Sequence, residues 1–319
     1  MAVYTPLSAD DLAALLAQYD IGAPLAFEGI AAGVENSNFK LTTAQGCYIL
    51  TLLERRVAES DLPFFIGVMA RLAERGFPAP KPIAAKNGEY LTRAKNKPSA
   101  IVSFLDGDWH RQPNLEHCRA IGEALGRMHS ALEGFELTRA NALGPHGWET
   151  LIRPQLAAAE FLRPGLARAI EQDLADVRAR WPADLPKGAI HADLFPDNAL
   201  FVGEKLSGVI DFYFACTDFL SYDVAVCLNA WCFEGEREYD LAKGRALIAA
   251  YESVRPLTPA EREAFPALAR GAALRFFATR LADWAEMPAG ALVKPKDPLE
   301  YADKLAFHRG VVGARDYGG

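Results

Sequence analysis

The sequence predicts an α+β fold of two lobes: a small N-terminal antiparallel sheet with one packed helix, and a larger, mainly helical C-terminal lobe. Three observations predict it. Strand periodicity dominates residues 25–104, helical periodicity dominates from residue 105 onward, and one polar hairpin near residues 188–211 interrupts the helices. A length of 319 residues fits about two domains of ~150 residues each. We therefore expect an N-terminal lobe over 1–104 and a C-terminal lobe over 105–319.

The composition is typical of a globular protein, with 50% hydrophobic and 24% charged residues. The net charge is -7 without a basic run, which argues against sequence-independent nucleic-acid binding. The first ten residues do not combine a basic region with a following apolar one, and no stretch approaches 18 uninterrupted apolar residues, so we expect a cytoplasmic protein without a membrane partner. Five cysteines without a C-x-x-C pair predict reduced, buried thiols. Nothing in the sequence indicates the oligomeric state.

The N-terminal lobe begins with a helix that Ser8 caps and Gly22 is expected to end. A meander of three strands follows between Leu25 and Leu53. A helix that starts near Pro63 and closes at Gly76 comes next. Two more strands are predicted at 89–93 and 100–104.

The first strand connection reads Gly33-Val34-Glu35-Asn36-Ser37-Asn38. Such a short segment of small residues can offer backbone N–H groups to a phosphate. Asn and Ser are equally common in plain hairpin turns. Gly33, Asn36, Ser37 and Asn38 are thus candidates for nucleotide binding, with the plain turn as the alternative.

The segment Leu105-Asp106-Gly107-Asp108 is predicted to be a hinge, after which helices dominate. The helices are expected at 114–130, 149–158, 164–180, 222–232, 240–251 and 259–284. The polar hairpin is the exception to this pattern.

The hairpin region carries the residues on which the functional interpretation depends. Asp193, in His191-Ala192-Asp193, lies on a loop, Asn198 at a strand entrance and Asp211 at a strand exit. Protein kinases use this order: an Asp that accepts the hydroxyl proton, then an Asn and a second Asp that hold Mg²⁺. Mg²⁺ prefers oxygen ligands, which suits an amide and a carboxylate. An ordinary hairpin with polar turn residues is the alternative.

The cleft between the two lobes is expected to hold the nucleotide, next to Thr51, Ser103 and Leu105. Two features depart from the protein-kinase pattern. The third strand reads Leu50-Thr51-Leu52 where kinases place a lysine, and no G-x-G-x-x-G motif is present. The missing charge could come from Arg55, Arg56 or Lys40.

Segments along nearly the whole chain resemble the aminoglycoside phosphotransferase and choline kinase superfamily, and within it the bacterial homoserine kinases. That superfamily has a protein-kinase-like fold. The segments that carry the resemblance are 33–39, 48–52, 122–129, 191–198, 210–216, 222–225, 229–232 and 270–276.

The resemblance implies ATP as phosphoryl donor and the side-chain hydroxyl of L-homoserine as acceptor, on the route to threonine. Asp193 would be the base, with Asn198 and Asp211 on Mg²⁺. His191 and Asp223 are expected to hold the catalytic loop, residues 191–198, in position. His129 is interpreted as a core histidine.

Homoserine carries a carboxylate, whose strongest partner is a guanidinium. Arg275, in an apolar segment, is the first candidate, an internal ion pair being its alternative role. Arg280 is next, although Asp283 offers it a salt bridge at i+3, and Tyr213 is a further substrate candidate.

Two alternative functions stay open. A choline or amino-alcohol kinase would use Tyr213, Trp231 and Trp284 as a cage for an alkylated ammonium. A nucleotide-binding pseudokinase is suggested by Thr51. The joint presence of Asp193, Asn198 and Asp211 argues against the pseudokinase.

Overall fold

The N-terminal part of the chain is a five-stranded antiparallel sheet with two helices. The computed structural model describes residues 5–30, 36–54, 58–235, 237–287 and 295–319. The elements are α1 (Ala9–Leu16), β1 (Pro24–Gly29), β2 (Ser37–Thr43), β3 (Gly46–Leu52), α2 (Leu62–Glu74), β4 (Leu91–Ala94) and β5 (Lys97–Ser103). The strand order is β1-β2-β3-β5-β4, and every neighbouring pair is antiparallel.

The two faces of this sheet have different neighbours, because successive side chains of a strand point to opposite sides. One face packs against α1 in a small core formed by Leu12, Leu15, Leu16, Phe39, Leu41, Leu50, Leu52 and Ile101. On the other face, Ala100 and Val102 join the main core together with Phe64 and Phe65 of α2. Thr51 lies opposite both Asn38 and Ala100 in the register, so Asn38 and Thr51 belong to this second face.

The C-terminal part is mainly helical, as predicted. Its elements are α3 (Leu115–Ala131), α4 (Pro145–Ile152), α5 (Leu156–Leu162), α6 (Leu166–Arg180), β6 (Lys187–Ile190), β7 (Ala199–Val202), β8 (Lys205–Val209), β9 (Cys216–Phe219), α7 (Leu220–Trp231), β10 (Phe233–Glu234), β11 (Glu238–Tyr239), α8 (Leu241–Val254), α9 (Pro259–Ala285) and α10 (Pro298–Arg309). Helices α7 and α9 pack against each other in the centre of the core.

The hinge is joined to the hairpin by main-chain hydrogen bonds. Asp108 and Phe201 exchange two of them, at 3.0 and 2.9 Å. The N–H of Val209 also donates to the carbonyl of Pro78 at 2.8 Å. These bonds hold the catalytic hairpin against the segments that link it to the sheet. The predicted α+β class is confirmed.

Several predicted element boundaries are wrong. The helix expected at 149–158 is α4 and α5, separated by a 3₁₀ turn at Arg153–Gln155. Pro154 explains the break, since it lacks an N–H and clashes with the preceding turn. Helix α1 ends at Leu16 and not at Gly22, although the predicted capping box of Ser8 and Asp11 is present. Helix α10 was not predicted, despite Asp297 as its N-cap and Pro298 at its first position.

The cysteines are mostly buried, as predicted, but Cys47 is exposed. Strand β3 places Cys47 on the edge of its turn, next to Gly46. Within the described part of the chain, every helix is too short or too polar to cross a membrane.

Candidate active site

The catalytic loop and a β-hairpin bring Asp193, Asn198 and Asp211 together. Asp193 follows β6, Asn198 ends a 3₁₀ turn directly before β7, and Asp211 follows β8. The N–H of Ile210 donates to the carbonyl of Asn198 at 2.9 Å, which closes the hairpin beside the loop. The negative charge of Asp211 acts on Asp193 and helps to raise its pKa. The predicted convergence of these three residues is therefore present.

The amide of Asn198 has a defined orientation. Its Nδ2 donates to the backbone carbonyl of Asp193 at 2.8 Å and lies 3.4 Å from the Asp193 carboxylate. A carbonyl can only accept a hydrogen bond, so the nitrogen must face it. The Oδ1 of Asn198 therefore points away from the loop, where it can act as a ligand.

The carboxyl group of Asp193 is largely buried, with 19% of its side chain exposed. Burial raises the pKa of Asp193 to about 7, while the nearby Arg275 guanidinium opposes this rise. A general base works best when its pKa is close to the operating pH. The surroundings of Asp193 thus suit a group that accepts a proton.

Arg275, on α9, contacts the catalytic loop directly. Its Nη1 donates to the carbonyl of Ala192, and its Nη2 lies 3.5 Å from the Asp193 carboxylate. The guanidinium also lies 4.3 Å from the ring centre of Phe276. Arg275 is 2% exposed, and among the described residues its Nε has no hydrogen-bond partner. An internal ion pair was the alternative role predicted for Arg275, and the structure contains such a pair with Asp193.

Arg280 does not present a free guanidinium to a substrate, which corrects the prediction. Its Nη1 pairs with the carboxylate of Glu300 and donates to the carbonyl of Asp297 at 3.1 Å. Both partners belong to the start of α10, which the sequence interpretation missed. Because the guanidinium is 9% exposed and already paired, Arg280 anchors α10 to α9.

Asp223, on α7, accepts two backbone hydrogen bonds from the catalytic loop. The N–H groups of His191 and Ala192 donate to its two carboxylate oxygens, both at 2.8 Å. Burial opposes ionisation, but the hydrogen bond from His129 and nearby charges lower the pKa of Asp223. The ionised carboxylate holds Ala192 in a left-handed conformation, at a φ of 62°.

His191 links the loop to the hairpin in one tautomer. Its Nε2 lies 2.9 Å from the carbonyl of Ile210, and its Nδ1 accepts from the N–H of Asp193 at 3.2 Å. The carbonyl can only accept and the N–H can only donate, so Nε2 carries the proton. Burial lowers the pKa of His191, which favours this neutral form. His129 is buried, as predicted, and bonds Asp223 at 3.2 Å.

Trp231 contacts the catalytic loop from the core of the protein, and it is too buried to form part of a substrate cage. Its indole Nε1 donates to the carbonyl of Leu194 at 2.8 Å, and its side chain is 1% exposed. Trp284 instead lies against Phe161, with ring centres 6.4 Å apart. The aromatic cage expected for an amino-alcohol kinase therefore lacks Trp231, one of its three predicted side chains. Sequence alone could not separate a buried tryptophan from an exposed one.

On the sheet side of the cleft, Asn38, Thr51 and Tyr213 form a polar contact. The Thr51 hydroxyl donates to Oδ1 of Asn38 at 2.8 Å. Burial raises the pKa of Tyr213 to about 12, while a hydrogen bond with Thr51 opposes that rise. Tyr213 is two residues beyond Asp211, so this contact links β3 to the segment that follows β8. The role of Tyr213 as a substrate residue stays a prediction.

The side chains of Asn36, Ser37 and Lys40, the other candidates on the sheet, contact neighbouring parts of the protein. Ser37 donates to Glu54 at 2.7 Å, and Asn36 accepts from the Glu54 N–H at 3.1 Å, so both side chains bind the chain beside the turn. The ammonium of Lys40 lies 4.2 Å from the ring centre of Phe104, at the hinge. Gly33, Arg55 and Arg56 lie outside the described residues.

The remaining candidates, Ser103 and Leu105, have partners in the segment between α2 and β4 and in the hairpin, respectively. The N–H and the hydroxyl of Ser103 bond the backbone of Lys81, both at 2.9 Å. The side chain of Leu105 packs so closely on Gly208 that an added Cβ there would lie 2.7 Å from it. Leu105 therefore lies at the contact between hinge and hairpin.

A metal ion at this site would need ligands from outside the protein. In the described ranges, no three His, Cys, Asp or Glu side chains form a group that could hold one. Asn198 and the exposed Asp211 would supply two oxygen ligands to such an ion. Mg²⁺ is commonly held by one or two carboxylates and completes its shell with phosphates and water, so the donor set fits a nucleotide-bound ion.

Comparisons with known proteins agree with this geometry. The model of the phosphotransferase enzyme family matches residues 26–257. Homoserine kinases of Sinorhizobium fredii and Xanthobacter autotrophicus are each 56% identical over 318 residues, covering 100% of this chain and 98% and 99% of theirs. The homoserine kinase of Rhodopseudomonas palustris is 54% identical over 319 residues.

Solved structures share the fold at low sequence identity. An amicoumacin kinase in complex with AMP-PNP, Ca²⁺ and Ami aligns with a TM-score of 0.69 and 15% identity, covering 95% of this chain and 92% of that one. A choline kinase from Cryptosporidium parvum aligns with a TM-score of 0.60 and 16% identity, over 89% and 87% of the two chains. These two likenesses concern the fold alone.

Proposed function

We propose a reaction and a set of residue roles for this chain, which belongs to the phosphotransferase enzyme family and, within it, to the homoserine kinases. The enzyme is an ATP-dependent phosphotransferase with an alcohol group as acceptor. It transfers the γ-phosphoryl group of ATP to the side-chain hydroxyl of L-homoserine, and the products are O-phospho-L-homoserine and ADP. The product lies on the route to threonine.

Asp193 is the proposed general base. The observation that supports the proposed reaction is the position of its carboxyl group, next to Asn198 and Asp211. The hydroxyl oxygen of homoserine forms a bond to the γ-phosphorus, and the bond from that phosphorus to the β–γ bridging oxygen breaks. Asp193 takes the proton of the hydroxyl. Arg275 holds both Ala192 and Asp193, so we assign it the positioning of the base. A direct contact of Arg275 with the acceptor is the alternative.

Mg²⁺ is the proposed metal, with Oδ1 of Asn198 and the carboxylate of Asp211 as its protein ligands. When bound, it supplies positive charge beside the β- and γ-phosphates. Asp193 keeps Asn198 in the required orientation through the bond from Nδ2 to its carbonyl. His191 and Asp223 keep the loop backbone in place. Their roles as bracing residues are part of this proposal.

ATP lies in the proposed cleft between the sheet and the hairpin, against Asn38, Thr51, Ser103 and Leu105. Asn38 and Thr51 support this assignment because they lie on the sheet face that Tyr213 reaches from the hairpin. Asn36 and Ser37 could contact a phosphate only through their backbone N–H groups, since their side chains bind elsewhere. Gly33 stays a prediction, as do the division into lobes at residue 104 and a cytoplasmic location.

The test is ATP consumption measured with L-homoserine, choline, ethanolamine, hydroxylysine and an aminoglycoside as acceptors. We expect the highest kcat/KM with L-homoserine. A preference for choline or ethanolamine would instead support an amino-alcohol kinase. ATP binding without turnover on any acceptor would indicate a pseudokinase.

A further inference from the structure

The proposed acceptor, on whose identity this inference rests, has a zwitterionic head. L-Homoserine carries an α-carboxylate and an α-ammonium, and its hydroxyl must reach Asp193. Three single bonds of about 1.5 Å each separate the hydroxyl oxygen from the α-carbon. A hydrogen bond of about 2.7 Å separates that oxygen from the base, so the α-carbon lies within about 7 Å of the base. A site for this amino acid needs an accessible cation and an accessible anion at that distance.

The two arginines predicted from the sequence do not meet this need. The side chain of Arg275 is 3% exposed and is directed at the catalytic loop. That of Arg280 is 9% exposed and paired with Glu300. Using either one would require breaking a buried contact, which is costly.

Lys296 and Asp197 form an ion pair at the edge of the catalytic loop. Their charged atoms are 3.5 Å apart, and their side chains are 63% and 48% exposed. The Lys296 ammonium also lies 5.4 Å from the ring centre of Phe195. An exposed pair of this kind contributes little to stability, because water screens the two charges. A ligand can therefore separate the two groups at little cost.

Both groups are close to the proposed base. Asp197 is on the same loop as Asp193 and directly precedes the metal ligand Asn198. The Lys296 ammonium lies against the ring of Phe195, which is two residues beyond Asp193 in the same loop. Phe195 and Phe276, with ring centres 4.7 Å apart, provide an apolar surface between the loop and α9.

The backbone that carries Lys296 is well anchored. Asp297 caps α10 by accepting from the N–H of Leu299 at 2.8 Å, and its carbonyl accepts from Arg280. Pro298 begins α10, and Pro295 restricts the backbone on the other side. The start of α10 thus fixes where the Lys296 side chain leaves the main chain, while that side chain is 63% exposed to solvent.

We propose that Lys296 and Asp197 together recognise the amino-acid head of the acceptor, Lys296 binding the α-carboxylate and Asp197 the α-ammonium. On binding, the pair between Lys296 and Asp197 is replaced by two pairs with the ligand. The charges remain balanced, so neither side chain is left unpaired. This recognition distinguishes an α-amino acid from an amino alcohol and from a hydroxy acid.

The experiment compares three acceptors that differ in one charged group. L-Homoserine has both groups, 3-amino-1-propanol lacks the carboxylate, and 4-hydroxybutyrate lacks the ammonium. We measure kcat/KM for each with the unmodified enzyme, Lys296→Gln and Asp197→Asn. Calorimetric binding of each acceptor in the presence of a non-hydrolysable ATP analogue gives a second readout that does not need turnover.

We expect Lys296→Gln to weaken binding and kcat/KM about 10- to 100-fold for L-homoserine and 4-hydroxybutyrate, as loss of a charge-assisted hydrogen bond implies. Its values for 3-amino-1-propanol should stay unchanged. Asp197→Asn should show the complementary pattern, with losses for L-homoserine and 3-amino-1-propanol only. Lys296→Arg keeps the positive charge, so it should bind L-homoserine more tightly than Lys296→Gln and nearly as tightly as the unmodified enzyme.

Equal losses on all three acceptors, or no loss on any, would overturn the proposal. The matched control is the exposed pair of Arg119 and Glu116 on α3, with 53% and 47% exposure. Arg119→Gln should leave every value unchanged. Failure of the unmodified enzyme to phosphorylate L-homoserine would contradict the proposed function itself, and is thereby distinguished from failure of the recognition pair.

Discussion

At the scale of single residues, the active site depends on pairs in which one side chain orients another. Asn198 can present its Oδ1 because its Nδ2 is bound to the carbonyl of Asp193. Asp193 keeps its position because Arg275 and Asp223 hold the neighbouring Ala192 from two sides. Changes at these residues should therefore affect chemistry, metal use and substrate affinity differently.

The first prediction concerns the base. Asp193→Asn should lower kcat by about 10²- to 10⁴-fold, because the hydroxyl proton loses its acceptor. The dissociation constant of ATP, measured by calorimetry, should change little. A variant with near-normal turnover would exclude Asp193 as the base.

The second prediction concerns the metal. Asp211→Asn should abolish activity, and Asn198→Ala should increase the Mg²⁺ concentration needed for half-maximal rate, because each removes a proposed ligand. A titration of the initial rate with Mg²⁺ checks both variants. Full activity of the unmodified enzyme in excess EDTA would contradict a metal role for both residues.

The third prediction concerns Arg275. If it positions Asp193, Arg275→Met should lower kcat more than it raises the KM for homoserine, since an interaction needed in the transition state is lost. Steady-state kinetics with both substrates checks this. A large rise in the homoserine KM at unchanged kcat would instead assign Arg275 to the substrate carboxylate.

At the scale of elements, the hinge and the hairpin approach so closely that one position requires glycine. Gly107 has a φ of +130°, and a Cβ at this position would lie 2.9 Å from the carbonyl oxygen of Phe201 and against the Ser207 hydroxyl. The hydroxyl of Ser207 also donates to the carbonyl of Asp106 at 2.6 Å. The position of the hinge thus depends on β7 and β8.

The fourth prediction is that Gly107→Ala lowers the free energy of unfolding by about 1–3 kcal/mol, because strain and a steric clash act together. It should also raise the KM for ATP, since the hinge lines the proposed nucleotide cleft. Urea denaturation and steady-state kinetics measure the two effects.

Gly203→Ala is the matched control for this prediction. Gly203 also has a positive φ, of +62°, but nothing lies within 4 Å of its added Cβ. Its substitution should cost less stability and leave the ATP KM unchanged. Equal effects of the two substitutions would show that the close contact at Gly107 is unimportant.

At the scale of the whole molecule, buried histidines make the fold sensitive to acid. His308 lies between Tyr317 and Asn229, at 2.7 and 2.9 Å. Burial, with the charges of Lys304 and Arg270, lowers the pKa of His308 from 6.5 to about 3. Burial also lowers the pKa of His117 and His191. Protonation of these side chains is therefore favoured in the unfolded chain.

The fifth prediction concerns stability against pH. Between the two pKa values the unfolded chain binds more protons at His308, so the free energy of unfolding should fall as the pH decreases from 6.5 towards 3. The contribution of one histidine is at most about 1.4 kcal/mol per pH unit. Above pH 6.5 it should be constant. Urea denaturation at a series of pH values measures this dependence.

His308→Gln should reduce the slope of the free energy of unfolding against pH below pH 6.5. His146, which is exposed, offers the control, and His146→Gln should leave the slope as it is. An unchanged slope in His308→Gln would contradict the prediction.

Local sequence patterns were enough to predict the class of the fold and to locate the candidate residues of the catalytic loop. Alternating burial in β2 follows from local periodicity. The order Asp193, Asn198, Asp211 is local too, because one loop and one hairpin contain all three. Local signals failed where a proline interrupts α4 and α5, and α10 was overlooked although Asp297 and Pro298 mark its start.

Which charged and aromatic side chains are available to a ligand could not be predicted from local patterns, because it depends on how distant segments pack. Arg275, Arg280 and Trp231 appeared in the sequence as substrate candidates, but their partners come from distant segments and bury them. Lys296 and Asp197 are far apart in the chain and become a pair only when α10 packs beside the catalytic loop. The physical reason is that exposure and charge pairing depend on long-range packing, which residue type and spacing do not encode.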